Sequence, residues 1–133
     1  MSTLKLDTLS NKAGTASVPS DTIVSGTAKA WVSFDGTGTV AIRRAFNVST
    51  ITDNGTGDYT VNFTTAMADA NYSVNILGCP ASTTTGGPSV FNAKATMASS
   101  PPTASNFRIR AGYNYYSASN FADREFVNVA VFS

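Results

Sequence analysis

Short runs in which apolar and polar residues alternate recur along the chain from residue 30 to its end. They occupy residues 30–34, 59–63, 72–76, 106–110 and 126–132. Successive side chains of an extended strand point to opposite faces, so each run predicts a strand with one apolar face. No long helical period interrupts the series. The pattern therefore predicts an all-β protein.

Two turn signals between these runs predict hairpins. Asp35-Gly36-Thr37-Gly38 follows the first run and contains residues that accept positive φ at little steric cost. Beyond this turn, Val40 and Ile42 are expected to return to the apolar face of the first run. The second signal is Asn54-Gly55, which lies between two alternating segments and is typical of a tight hairpin turn.

The remaining segments give weaker patterns. Residues 65–70 predict at most one helical turn, and residues 81–88 predict a polar loop. Residues 90–97 predict a weak strand. Residues 106–116 predict one continuous strand, and residues 117–123 predict a second polar loop.

The last run differs from the others because both of its faces are apolar. Val127, Val129 and Val131 line one face, and Phe126, Ala130 and Phe132 line the other. A strand that is apolar on both faces is expected to be covered on both faces. We therefore predict a small antiparallel β-sandwich of about six to eight strands, packed against sister subunits through the second face of this strand.

Residues 1–26 lack the sustained alternation of residues 27–133, so the chain is predicted to consist of an N-terminal segment and one β-sandwich domain. The N-terminal segment cannot bury a core by itself. Two interpretations stay open for it. It is either a disordered leader or an extended arm that becomes ordered against neighbouring chains or another protein.

Composition excludes several classes of partner. Charged residues make up 13% of the 133 residues, against about 25% in typical globular proteins, and the net charge is +1. Such a chain lacks the basic surface that attracts nucleic acids or anionic membranes. No apolar run approaches the roughly 20 residues that span a bilayer, and the N-terminus has no signal-peptide pattern. We expect neither nucleic acid binding nor membrane insertion.

The sequence offers little for catalysis. It contains no histidine, and its one cysteine, Cys79, is more typical of a small buried residue than of a metal ligand. Acid–base chemistry would depend on eight carboxylates, most of which lie in turns. Asp123 and Glu125 are two residues apart and would point the same way in a strand. We predict no catalytic residue and no enzyme.

One loop has oxygen-bearing side chains at close spacing. Residues 53–58 carry Asp, Asn, Thr and Asp side chains, but the loop lacks the length and the final bidentate Glu of an EF-hand. A hairpin turn accounts for the same residues. No metal and no cofactor are predicted.

A cluster of aromatic and polar residues near the C-terminus suits a sugar ligand. Flat rings pack on the apolar faces of sugars, and amides, carboxylates and guanidinium groups bind their hydroxyls. Tyr113 and Tyr115 are expected to continue the inward face of the 106–116 strand, whereas Asn114 and Tyr116 share the outward face. The candidate ligand-binding residues are Tyr116, Asn114, Arg108, Arg110, Tyr113, Tyr115, Asp123 and Arg124.

Two long stretches resemble a known family. Residues 28–43, which contain Trp31-Val32-Ser33-Phe34-Asp35-Gly36, and residues 46–63 are similar to the distal domain of tail-fibre-like proteins of marine and other bacteriophages. The similarity extends weakly to residues 4–9 and 126–132, and residues 80–102 depart from it. The family offers no binding residues that can be carried over by position.

The resemblance implies a virion protein of the tail, made in the cytoplasm of the bacterial host. It also implies a homotrimer that attaches to a host surface glycan, with residues 1–26 available to bind other tail or fibre proteins. Two alternatives stay open. One is a structural or decoration virion protein without a ligand, and the other is a polysaccharide depolymerase.

Overall fold

Strands form most of the structure. The computed structural model describes residues 3–79, 100–115 and 118–133. Over these residues the elements are, in chain order, β1 (Thr8–Ser10), β2 (Ser17–Pro19), α1 (Ser20–Gly26), β3 (Ala30–Asp35), β4 (Ala41–Phe46), β5 (Val48–Gly55), β6 (Asp58–Phe63), β7 (Ser73–Cys79), β8 (Asn106–Arg110), β9 (Gly112–Tyr115), β10 (Ala118–Phe121) and β11 (Phe126–Phe132). The all-β prediction is confirmed.

Two antiparallel sheets form the body of the protein, and their apolar faces meet. One has four strands in the order β4–β3–β11–β7, and the other has three in the order β5–β6–β8. Two short ribbons, β1–β2 and β9–β10, accompany them. The rings of Phe34 in β3 and Tyr59 in β6 meet edge to face, with centres 5.2 Å apart. The arrangement is β-sandwich-like.

The core comes from the apolar positions of the alternating runs. Every second side chain of β3, β6, β8 and β11 is buried. Burying one Val, Ile or Phe side chain contributes about 1.5–3 kcal/mol, so these positions determine which face of each strand turns inward. The core consists of Ala30, Val32, Phe34, Val48, Tyr59, Val61, Phe63, Met67, Phe107, Ile109, Ala111, Val127, Val129 and Val131.

The first predicted hairpin is present as β3 and β4, with one irregularity. The pairing shifts by one residue after Ser33, which gives β4 an extra residue, as in a β-bulge. β4 is also an edge strand, and Ile42 remains 38% exposed although it lies opposite the buried Phe34. The expectation that Ile42 returns to the face of Phe34 is confirmed, although the edge position leaves its side chain partly exposed. Val40 does pack against the core.

The second predicted hairpin is present as β5 and β6, but its turn lies two residues further along. Gly55 pairs with Asp58, so Thr56 and Gly57 form the turn instead of Asn54 and Gly55. Gly57 has φ +63°, and a side chain at this position would collide with neighbouring backbone. The hairpin is confirmed, and the predicted position of its turn is wrong.

Two other segments also differ from the prediction. The strand predicted over residues 106–116 ends at Arg110. The Ala111 amide still donates to the Gly57 carbonyl at 2.6 Å, and the chain then leaves the three-stranded sheet. β9 then pairs with β10, so the predicted loop at residues 117–123 contains a strand. Residues 65–70 form bends without a helix.

The N-terminal segment contains three elements that the pattern did not predict. β1 and β2 form a ribbon, and α1 follows it directly. None of the residues of α1 is buried, and the apolar side chains of Leu4, Leu9, Ile23 and Val24 are exposed. The role of this segment as an arm stays a prediction.

Two predicted segments lie outside the described residues, namely the polar loop at residues 81–88 and the weak strand at residues 90–97. The final strand is present as β11, and its three valines are buried as predicted. It pairs with β3 on one side and with β7 on the other.

Candidate functional site

The outer face of the three-stranded sheet carries polar side chains on all three strands. Residues that alternate with the buried core positions project here, and the central strand β6 brings each row into register with β5 and β8. We call this surface the polar face. It consists of Thr50, Thr52, Asn54, Asp58, Thr60, Asn62, Asn106, Arg108 and Arg110.

A compact ion network occupies one end of the polar face. Arg108 donates to Asp58 from Nε at 2.5 Å and from Nη2 at 2.7 Å, and Arg110 donates to it from Nε at 3.0 Å. Asp58 is only 7% exposed. Burial alone would raise the pKa of this carboxyl, but the hydrogen bonds and charges of both guanidinium groups outweigh it and lower the pKa. The three groups together retain one positive charge.

Arg110 is held by two contacts and carries further hydrogen-bond donors on Nη1 and Nη2. Its guanidinium carbon lies 4.7 Å from the centre of the Phe121 ring, a cation–π contact that orients the group. Among the described residues, the Arg110 guanidinium donates a hydrogen bond from Nε and none from Nη1 or Nη2. Phe121 itself is 42% exposed.

Hydroxyl and amide groups fill the rest of the polar face. Asn62 Nδ2 donates to Oγ1 of Thr50 at 3.1 Å and of Thr52 at 3.0 Å, and Asn54 Nδ2 donates to Thr60 Oγ1 at 2.9 Å. Each threonine oxygen accepts a hydrogen bond and still has its own proton to donate. The face therefore offers ordered donors of the kind that bind sugar hydroxyls.

The Asp123 side chain and the Arg124 carbonyl accept hydrogen bonds from the hairpins. Asp123 Oδ1 accepts hydrogen bonds from the Gly57 amide and the Tyr59 hydroxyl, each at 2.7 Å. The Gly36 amide donates to the Arg124 carbonyl at 2.8 Å. Burial, together with the hydrogen bond to Asp123 and its charge, raises the pKa of Tyr59 well above its ordinary value. The segment before β11 is thereby fastened to both hairpin turns.

The outer face of the four-stranded sheet carries several large apolar side chains, and we call it the apolar face. Its apolar members are Trp31, Phe46, Leu77, Phe126, Ala130 and Phe132. Polar side chains lie between them, namely Ser33, Arg44, Ser73, Asn75 and Asn128. Trp31 lies between Phe46 and Ala130 in one row across the sheet. Trp31 is 37% exposed, Leu77 50% and Phe46 54%, so the described part of the chain leaves them partly uncovered.

Charged residues border the apolar face at one end. Arg43 Nη2 lies 2.8 Å from Asp35 Oδ2 and 3.4 Å from Glu125 Oε1, and its guanidinium carbon lies 4.1 Å from the Phe126 ring centre. The hydroxyl and amide of Thr37 are the main causes that lower the pKa of Asp35. Because Glu125 precedes β11 and pairs with Arg43, the expectation that it shares a strand face with Asp123 is wrong.

The predicted site residues are only partly brought together. Arg108 and Arg110 share one network, whereas Oδ1 of Asp123 accepts internal hydrogen bonds elsewhere. Tyr113, Asn114 and Tyr115 lie on β9, in a ribbon separate from the three-stranded sheet. Tyr116 and the side chains of these three residues lie outside the described residues.

Two members of the site were not predicted. The sequence pattern predicts only a turn at Asp58, although its alternation with Thr60 and Asn62 places all three on one strand face. The pattern predicts a loop at Phe121, which the structure places at the end of β10. Asp58 meets two arginines because β6 pairs with β8. Short-range sequence patterns do not predict which strands pair.

The described residues contain no group of three or more Cys, His, Asp or Glu side chains that could hold a metal. In the same part of the chain, no helix is long and apolar enough to cross a membrane. Comparison of the sequence and structure with protein-family models, curated proteins and solved structures finds no match.

Proposed function

We propose that this chain is a non-catalytic receptor-binding domain of a bacteriophage tail fibre. It assembles as a homotrimer in the virion tail and binds a host cell-surface saccharide. The observation that carries the proposal is the presence, on one small sandwich, of an apolar outer face and a polar outer face. The tail-fibre setting rests on the resemblance of residues 28–43 and 46–63.

The apolar face supports the assembly step. Exposed apolar patches of this kind mark interaction surfaces in soluble proteins. We assign second and third copies of this chain as its cover, because each copy also exposes apolar side chains in its N-terminal segment, including Leu4 and Val24. Packing the apolar face of one copy against the N-terminal segment of another would remove both apolar surfaces from water.

The polar face supports the binding step. Its hydroxyl, amide and guanidinium groups match the hydroxyls of a saccharide, and the exposed Phe121 ring offers a flat apolar surface beside them. A single such contact is weak, but identical sites on one trimer bind jointly with much higher avidity.

Internal bonds at the described carboxylates favour binding over hydrolysis. Asp58 is held by two arginines, Asp123 by Tyr59 and Gly57, and Glu125 by Arg43. A glycosidase needs two carboxyl groups that face each other across a substrate. The depolymerase alternative would require release of reducing ends from host polysaccharide, and this release would have to be lost in Asp123→Ala or Glu125→Ala.

The proposed function is tested by adsorption. Purified protein is incubated with envelope polysaccharide from the bacterial host, and binding is measured by surface plasmon resonance. The protein is also used to compete with phage particles for host cells. We expect saturable binding and reduced adsorption. Absence of both effects would contradict the proposal and leave the structural virion protein, which needs only the apolar face.

A further inference from the structure

We propose that the polar face recognises an anionic group of its saccharide, a carboxylate or a sulfate, through Arg110. This inference rests on the proposed saccharide binding and names the class of sugar, an acidic one. It places the anion at the end of the face where β6, β8 and β10 come together.

The charge balance favours an anion. Asp58 accepts three hydrogen bonds from the two arginines, and a single carboxylate cannot neutralise two guanidinium groups. Arg110 and Arg108 have side chains that are 23% and 29% exposed, so the remaining positive charge is accessible from solution. A neutral sugar would leave this charge uncompensated.

The two arginines differ in what they have left to donate. Arg108 spends Nε and Nη2 on Asp58, which makes its contact bidentate and structural. Within residues 3–79, 100–115 and 118–133 as described, Arg110 donates only from Nε. Its Nη1 and Nη2 groups are the pair that binds a carboxylate or sulfate with two parallel hydrogen bonds. We therefore assign recognition to Arg110 and a positioning role to Arg108 and Asp58.

Arg110 is also oriented before any ligand arrives. The bond from Nε to Asp58 fixes one edge of the guanidinium group, and the Phe121 ring 4.7 Å from its carbon fixes the plane. A side chain that is already held loses less conformational freedom on binding. The same ring lies beside the anion position, where it can pack against the apolar face of the sugar.

The inference is tested by isothermal titration with three short oligosaccharides. One is an oligouronate, one is its carboxyl-reduced and therefore neutral counterpart, and one is a sulfated oligosaccharide. The proteins are the wild type, Arg110→Gln, Arg110→Lys and Lys12→Gln. Lys12 lies in the exposed turn between β1 and β2, so its replacement removes the same charge away from the polar face.

We expect the wild type to bind at least one acidic oligosaccharide about tenfold or more tightly than the neutral one. Arg110→Gln should lose about tenfold in affinity. Arg110→Lys should fall between Arg110→Gln and the wild type, because lysine keeps the charge but lacks the paired N–H donors of a guanidinium group. Lys12→Gln should bind as the wild type does. Thermal unfolding of each variant verifies that it is folded.

Each other outcome is decisive. Equal losses in Lys12→Gln and Arg110→Gln would mean general charge attraction and would overturn the inference. Equal affinity for the neutral oligosaccharide would also overturn it and would leave the proposed function standing. If the wild type binds none of the three oligosaccharides but still binds envelope polysaccharide, the inference is overturned and the proposed function stands. Failure on envelope polysaccharide as well would contradict both.

Discussion

The two outer faces of the sandwich are built from the same alternating pattern, but only the four-stranded sheet exposes large apolar side chains among its polar ones. On the three-stranded sheet, the outward positions carry threonine, asparagine and the Asp58–Arg108–Arg110 network. On the four-stranded sheet, they include Trp31, Leu77 and other large apolar side chains. Both faces lie over one shared core.

This difference shows how the chain divides its surface. A polar face full of internally bonded groups would lose its water at a cost if another protein covered it. Covering the apolar face is favourable, because burial of apolar surface contributes about 25 cal/mol per Å². One face is therefore suited to stay open to a soluble ligand, and the other is suited to assembly.

The largest expected effect comes from placing the same charge on each face in turn. Leu77→Asp would bury an unpaired carboxylate between copies, so association should weaken by about a hundredfold or more. Thr52→Asp adds that charge to the polar face and should leave association unchanged. Light scattering should give about three times 13.8 kDa for the wild type and Thr52→Asp, and 13.8 kDa for Leu77→Asp. Equal loss of mass in both variants would break the distinction between the faces.

The next effect concerns the charge network of the polar face. Asp58→Asn leaves two guanidinium groups side by side without their shared anion and should lower the free energy of unfolding by about 2–3 kcal/mol. Asp53→Asn is the matched control in the same hairpin, where the carboxylate accepts only from the Gly55 amide in the described residues. Its cost should be about 0.5 kcal/mol in urea unfolding. Similar costs for both variants would show that the network adds no stability.

A smaller effect is expected at the Tyr59–Asp123 hydrogen bond, which holds the segment before β11 and lies on neither outer face. Tyr59→Phe removes the hydroxyl that donates to Asp123 and should cost about 1–2 kcal/mol of unfolding free energy. Particle mass and saccharide affinity should stay as in the wild type. A change in mass or affinity would mean that the Tyr59–Asp123 hydrogen bond also shapes one of the two faces.

The smallest effect is the pH dependence contributed by Asp58. Its pKa is lowered in the folded protein, so its stabilising contribution is complete above the ordinary aspartate pKa and is lost as pH falls through the folded value. Unfolding free energy should therefore decrease on acidification below about pH 4. Asp58→Asn should show a shallower decrease. An identical slope in both proteins would contradict the ion network.

Local patterns predicted the strands but not how they assemble. Alternation at residues 30–34, 59–63 and 127–131 identified core side chains correctly, because burial depends on a period of two within each strand. The bulge after Ser33 belongs to the pairing of β3 with β4, which alternation within one strand does not specify. The pairing of β9 with β10 after Ala111 is likewise a relation between strands. The same is true of Asp58, whose partners come from residues 50 and 52 positions further along the chain.

Trp31 gives the most direct measurement of whether the apolar face is covered, because it is the only tryptophan of the chain and lies in the middle of that face. Acrylamide quenching of its fluorescence is measured over a dilution series for the wild type and Leu77→Asp. We predict that wild-type Trp31 is protected and blue-shifted at high concentration and becomes quenchable on dilution or in the variant. Equal quenching of both proteins at every concentration would contradict a covered apolar face.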